Sequence, residues 1–134
     1  MASYEVSYGY TRSLAGVSFE EAVRRTTEAL KAEGFGVLTT IDVKETLKQK
    51  LGADFRRYTI LGACNPQLAH RALEAELGVG LLLPCNVTVF EADDGRMVVQ
   101  AVKPGAMFEV VKRAELEPVV READQRLSRA LAAL

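Results

Sequence analysis

The alternation of apolar and polar residues along the chain predicts five β-strands. The first stretch alternates Tyr and Val with Glu, Ser and Gly, which is typical of a half-buried antiparallel strand. Two central stretches are rich in β-branched and apolar residues. The last two flank Asp93-Asp94-Gly95, which indicates a hairpin because glycine accepts a positive φ. The predicted strands are residues 4–10, 35–41, 55–63, 86–91 and 96–102.

Apolar residues spaced three or four positions apart, together with capping residues, predict the helices. Ser18 and Asp42 each precede a glutamate by three positions, which is the pattern of a capping box. Asn65 followed by Pro66 indicates a third helix start, with Asn at the N-cap and Pro at the first helical position. The predicted helices are residues 18–33, 43–51, 66–77, 106–111 and 116–134.

The order of these elements predicts an α+β fold. Helices do not alternate strictly with strands, so we expect a mainly antiparallel sheet of about five strands with the two long helices packed on one face. The sequence has no linker, repeat or low-complexity segment, and we expect residues 1–134 to form a single domain. Gly34-Phe35-Gly36 follows a helix and lacks a third glycine, so it is not a dinucleotide-binding motif.

Composition and charge narrow the classes of function. Seventeen basic and eighteen acidic residues give a net charge of -1, which argues against a nucleic-acid binder that relies on phosphate contacts. No apolar run approaches the eighteen or so residues that cross a bilayer, and the N-terminus lacks the pattern of a signal peptide. We therefore expect a cytoplasmic protein with no membrane partner, whose two cysteines are free thiols.

Two segments that pair Cys-Asn with a proline carry a family resemblance. Residues 58–66 (YTILGACNP) and 83–87 (LPCNV) resemble the signatures of the bacterial and archaeal domain-of-unknown-function 302 family. The resemblance extends over nearly the whole chain. It implies a curved antiparallel sheet with two helices, in the TATA-binding-protein-like class, and it implies a homodimer. It implies no activity, because the family is uncharacterised, and a likeness to a DNA-binding fold is no evidence of DNA binding.

Cys64 is the residue with the clearest chemical potential. It lies where a predicted strand ends and a helix begins, and a thiol at a helix N-terminus can have a lowered pKa. Such a thiolate would suit a nucleophile or a redox sensor. The alternative is a small apolar residue that packs behind Pro66 while Asn65 caps the helix.

A functional role for Cys85 depends on whether it meets Cys64. If the helix after Pro66 returns the chain to a parallel strand, the two cysteines lie at opposite ends of the sheet, roughly 20 Å apart. If residues 79–83 run back in extended form, Cys85 arrives beside Cys64. We favour the second route, because an apolar run that ends in Pro84 is a poor tight turn.

These considerations give two hypotheses for function. The first is a homodimeric module that binds a small anionic or polar ligand or another protein. The second is a thiol-dependent enzyme or redox sensor that uses Cys64. The spacing of Cys64, His70 and Cys85 matches no standard metal pattern, so we predict no metal and no cofactor. The predicted ligand-binding residues are Asn65, Cys85, Asn86, Tyr58 and Asp42, although Asp42 is also explained as a helix cap.

Overall fold

One five-stranded antiparallel sheet forms the centre of the protein. The computed structural model describes residues 3–134. The strands are β1 (Gly9–Leu14), β2 (Gly36–Asp42), β3 (Tyr58–Cys64), β4 (Cys85–Glu91) and β5 (Met97–Val102). Their order in the sheet is β1-β5-β4-β3-β2, and all neighbouring strands are antiparallel. The first two strands in the sequence therefore form the two edges of the sheet.

Helices connect the strands and follow the last one. They are α1 (Phe19–Ala32), α2 (Val43–Leu51), α3 (Pro66–Ala75), α4 (Pro104–Phe108) and α5 (Glu117–Ala132). Short 3-10 helical turns, Leu77–Leu82 and Ala114–Leu116, precede β4 and α5. The starts of the first two helices are as predicted, since Ser18 Oγ accepts from the Glu21 amide and Asp42 Oδ1 accepts from the Glu45 amide.

The side chains that alternate along the strands give the sheet a covered face and an open face. On the covered face, Leu61, Val87 and Val99 are fully buried in one core with Leu30 of α1 and Leu127 of α5. The two long helices thus pack on one side of the sheet, which confirms the predicted α+β architecture. The open face carries the opposite side chains of β3, β4 and β5: Tyr58, Ile60, Asn86, Thr88, Phe90, Val98 and Gln100.

The first strand begins later than the alternation predicts. Residues 4–8 are not part of the sheet, and β1 instead continues to the buried Leu14. The sequence pattern missed this half of the strand because Arg12 occupies a position on the covered face. Its guanidinium donates to the carbonyl oxygens of Leu131 and Ala132 at 3.1 and 3.0 Å, so a charged side chain is accommodated at the end of α5.

Other predicted segments also differ from the structure, among them the fourth helix, which spans Pro104–Phe108 in place of residues 106–111. The third strand begins at Tyr58 because residues 55–57 lie in the exposed loop before it. The third helix ends at Ala75, and residues 79–82 belong to the 3-10 turn and not to an extended run. The predicted hairpin is confirmed, since Gly95 has a φ of 87° between β4 and β5.

Gly62 marks a close approach between β3 and its surroundings. It pairs with Thr39 of β2. A Cβ atom at position 62 would overlap the Thr39 Oγ1 atom and would lie 2.9 Å from Cγ of Pro84. Only glycine leaves room for both side chains, so this contact fixes how β2 and the segment before β4 lie against β3.

We expect Gly62→Ala to lower the free energy of unfolding by about 1–3 kcal/mol, because the added methyl group overpacks the contact. Thr39→Ala removes the nearest atom, so the double variant should recover part of the loss in urea denaturation. The matched control is Gly36→Ala, where a Cβ meets no atom within 4 Å. A Gly62→Ala protein as stable as the wild type would contradict the close approach.

Candidate functional site

Cys64 and Cys85 lie at the same end of the sheet. Cys64 is the last residue of β3 and Cys85 the first of β4, and the register pairs Cys85 with Ala63, the residue next to Cys64. The predicted meeting of the two cysteines is therefore confirmed. The route differs from the expected one, because the chain returns through the 3-10 turn and the cis Leu83-Pro84 peptide bond.

Both cysteines line a small apolar cavity at this end of the sheet. Its volume is about 40 Å³, and α3, α4 and α5 contribute most of its walls through residues such as Leu68, Phe108 and Val119. Ligand sites for small molecules usually measure about 300–1,000 Å³. The cavity is large enough for a few atoms only, and its walls offer almost no hydrogen-bonding groups. It therefore lacks the polar character expected of a pocket around the Cys-Asn dipeptides.

The thiols have raised pKa values. Burial raises the pKa of Cys64, and burial together with the nearby Cys64 raises the pKa of Cys85 to about 11. The expected low pKa of Cys64 is thus wrong. One physical reason is local: Cys64 precedes the N-cap, and the Asn65 Oδ1 atom already accepts from the Leu68 amide at 3.2 Å. A capped amide is not available to stabilise a thiolate.

Asn65 joins three parts of the fold. Its Oδ1 atom caps α3, and its Nδ2 atom donates to the Glu33 carbonyl at the end of α1, at 3.5 Å. Arg126 of α5 donates to the same carbonyl at 3.2 Å. The chain leaves α1 through Gly34, whose φ is 84° and where a Cβ would lie 2.8 Å from Asn65 Nδ2. Asn65 is 9% exposed, so its amide serves the packing of the helix ends.

The remaining predicted site residues lie elsewhere. Asn86 and Tyr58 line one groove on the open face, and Tyr58 stacks on Phe90 with ring centroids 5.2 Å apart. Asp42 is exposed and caps α2. The structure therefore brings Cys64, Asn65 and Cys85 together at the cavity, groups Tyr58 with Asn86, and separates Asp42 from both.

The groove on the open face contains residues that the sequence analysis missed. We call it the sheet groove; its volume is about 270 Å³. Thr88 and Gln100 form its floor together with Asn86. The sequence feature that could have identified Thr88 and Gln100 is their position as polar residues that alternate with apolar ones along the two strands. The sheet groove is lined by Val6, Tyr8, Gly9, Tyr58, Asn86, Thr88, Gln100, Ala101 and Val102.

A larger groove of about 670 Å³ lies beside α5. Its charged walls contain Lys112, Arg113 and Arg121, and three carboxylates: Glu109, Glu117 and Asp124. These charges balance, so the groove favours neither an anion nor a cation. Asp124 also accepts a hydrogen bond from Tyr10, and burial together with this carboxylate raises the pKa of Tyr10 to about 12.

Neither a metal site nor a membrane-spanning helix is found in the described part of the chain. Within residues 3–134, no three His, Cys, Asp or Glu side chains are grouped so that they could hold a metal ion. His70 is exposed and pairs with Glu74, with Nε2 and Oε1 3.0 Å apart. Every helix in the same residues falls short of the length and apolar character needed to cross a bilayer.

Comparison with known proteins establishes the family. The model of the domain of unknown function DUF302 matches residues 10–134. The chain belongs to the DUF302 family. A crystal structure of an uncharacterized conserved DUF302 protein from Bacillus stearothermophilus is 34% identical, with a TM-score of 0.86 over 95% of this chain and 98% of that one. No curated protein matches. The predicted family and fold class are therefore confirmed for this DUF302 protein.

The two Cys-Asn dipeptides of the DUF302 chain allow a matched test of Asn65. We expect Asn65→Ala to lower the free energy of unfolding by about 1–2 kcal/mol, because the α3 cap and the contact with Glu33 are lost. Asn86→Ala removes the same group from an exposed position and should change stability by less than about 0.5 kcal/mol. Urea denaturation measures both, and equal effects would contradict the assigned role of Asn65.

The buried Cys85 thiol predicts a loss of stability at high pH. Its pKa is raised from 9.0 to about 11, so the unfolded chain ionises first. The stabilising contribution is complete below pH 9 and falls as the pH approaches 11, by up to about 3 kcal/mol. We expect Cys85→Ala to flatten this decline in thermal denaturation. Cys64→Ala is the control with the less buried thiol, and identical pH slopes for Cys85→Ala and the wild type would contradict the prediction.

Proposed function

We propose that this DUF302 chain is a homodimeric interaction module whose two copies join along the outer edge of β2. The observation that carries the proposal is the exposure of residues 38–57. This segment contains most of β2, all of α2 and the loop before β3, yet none of its side chains is buried. It includes four exposed large apolar residues: Leu38, Ile41, Leu51 and Phe55. A partner that covers this segment would remove their apolar surface from water.

The two edges of the sheet differ in how they are protected. Natural edge strands are commonly shielded by charged residues, by proline or by irregularities. The β1 edge contains Arg12, a charged residue in the middle of the strand. The β2 edge contains neither a basic residue nor a proline, and its one charge is Asp42 at the end. An irregularity between Val37 and Thr39 leaves residues 39–42 as the regular part of this edge.

A second copy fits this edge better than an unrelated strand. In an antiparallel pairing centred on Thr40, Thr39 of one copy lies opposite Ile41 of the other, which is a favourable β-branched pair. In the same pairing Leu38 lies opposite Asp42 of the partner, so the two Asp42 carboxylates do not meet. Because α2 starts at Val43, it would lie beside the partner's exposed Leu38 and cover it.

We expect light scattering after size exclusion to give twice the 14.6 kDa mass of the chain. Leu38→Lys should shift the protein to monomer, because a charged edge position opposes strand pairing. The matched control is Leu81→Lys, since Leu81 is 92% exposed and belongs to the 3-10 turn and not to the β2 edge. A wild type that stays monomeric at micromolar concentration would overturn the proposal, as would a dimer that Leu38→Lys leaves intact.

The alternative of a thiol-dependent enzyme or redox sensor at Cys64 has less support. Burial raises the pKa of both thiols, so little thiolate forms at neutral pH. Cys64 and Cys85 also line one apolar cavity, whose walls supply no side-chain base that could activate a thiol. The cavity between them suits side-chain packing more than binding of a polar substrate.

A further inference from the structure

The floor of the sheet groove is polar where the sheet could have been apolar. Asn86, Thr88 and Gln100 lie side by side on β4 and β5, and Thr88 is paired with Gln100 in the register. Their neighbours in the same strands, such as Val87 and Val99, are fully buried apolar residues. Polar side chains are ordinary on the open face of an antiparallel sheet. What distinguishes these three is that they line one groove together.

The Thr88 hydroxyl is the most unusual group of this floor. Its Oγ1 atom is buried and has no hydrogen-bond partner among residues 3–134. Leaving a buried hydroxyl unpaired costs about 1–3 kcal/mol, and native structures contain few such groups. Rotation about χ1 moves the hydroxyl to another staggered position without moving the backbone, and Thr88 lines the groove.

The neighbouring amides are positioned for a ligand. The Gln100 Nε2 atom donates to Thr11 Oγ1 at 3.2 Å and to the Tyr4 carbonyl, which fixes the side chain and leaves its Oε1 atom as the acceptor. Asn86 is exposed at the other end of the floor and has both a donor and an acceptor. The floor therefore presents donors and acceptors within one small area.

Aromatic rings complete the sheet groove. Tyr58 is held by its stacking on Phe90, with the ring planes 5° apart, and Tyr8 is 62% exposed. Flat aromatic ligands gain dispersion and stacking energy from such rings. No residue that lines this groove is charged. A charged ligand would lose hydration there without gaining an ionic partner, so the lining favours an uncharged one.

We propose that the sheet groove binds a flat, uncharged heterocyclic compound of the size of a nucleobase, by hydrogen bonds to Asn86, Thr88 and Gln100 and by stacking on tyrosine. This proposal is independent of the dimer, because β2 contributes no residue to the groove. The volume of about 270 Å³ suits one or two fused rings and is small for a nucleotide. The ligand is a free small molecule, in keeping with the net charge of -1.

Side-chain amide signals provide a direct test. In ¹⁵N–¹H spectra of the full chain titrated with adenine, cytosine and uracil in turn, we expect at least one base to shift the NH₂ signals of Asn86 and Gln100. The amides of Gln49 on α2 and Gln125 on α5 are internal controls and should not move. The proposal is overturned if no base shifts the two groove amides, or if the control amides shift equally.

Two variants separate binding from folding. Asn86→Ala changes an exposed residue. We expect the nucleobase that shifts the groove amides to bind about tenfold more weakly to this variant, because the hydrogen bonds from Asn86 are lost. Thr88→Val keeps the shape but removes the unpaired hydroxyl, so it should weaken binding while leaving the free energy of unfolding unchanged or higher. Affinity from the same titrations and stability from urea denaturation give both readouts. If either variant bound as tightly as the wild type, the assigned floor would be wrong.

Discussion

The hydrogen bond from the Leu68 amide to Asn65 Oδ1 fixes the end of the sheet where the two cysteines lie. This hydrogen bond starts the first turn of α3. The Nδ2 atom of the same side chain donates to the carbonyl of Glu33, the residue that follows α1. Arg126 brings α5 to that same carbonyl. One small polar side chain thus defines the relative positions of three helices, and the apolar cavity between them has its shape as a result. The packing of these helices determines the apolar surroundings of the two thiols.

Strand pleating explains why two identical dipeptides differ so much. In the first dipeptide, Asn65 follows the last residue of β3 and caps α3. It is buried, and both ends of its amide form hydrogen bonds. In the second, asparagine is the second residue of β4 and points to the open face, while its cysteine is buried in the core. The same pair of residues therefore supplies a structural amide at one place and an accessible amide at the other. A motif read as one chemical unit is divided between the two faces of the sheet.

The sequence was informative wherever a local rule decided the outcome. Ser18, Asp42 and Asn65 cap helices because short polar side chains satisfy free amides within three residues. Gly95 forms the turn between β4 and β5 because glycine accepts a positive φ, which is also a local property. The sequence was least informative where a distant contact decides, as for Arg12, whose carbonyl partners lie at the end of α5. The environment of Cys64 and the polar floor of the open face likewise depend on strand order, which no short window of sequence contains.

The contact of Arg12 with the end of α5 also bears on how the chain folds. The hairpin of β4 and β5 closes a short loop, whereas β1 pairs with β5 across most of the sequence. Closing the longer loop costs more chain entropy, and the carbonyls that receive Arg12 belong to residues that follow all five strands in the sequence. The earliest strand in the sequence is therefore the one whose place in the sheet depends on the latest helix. During synthesis on the ribosome, the central hairpin can form well before β1 gains its full set of contacts.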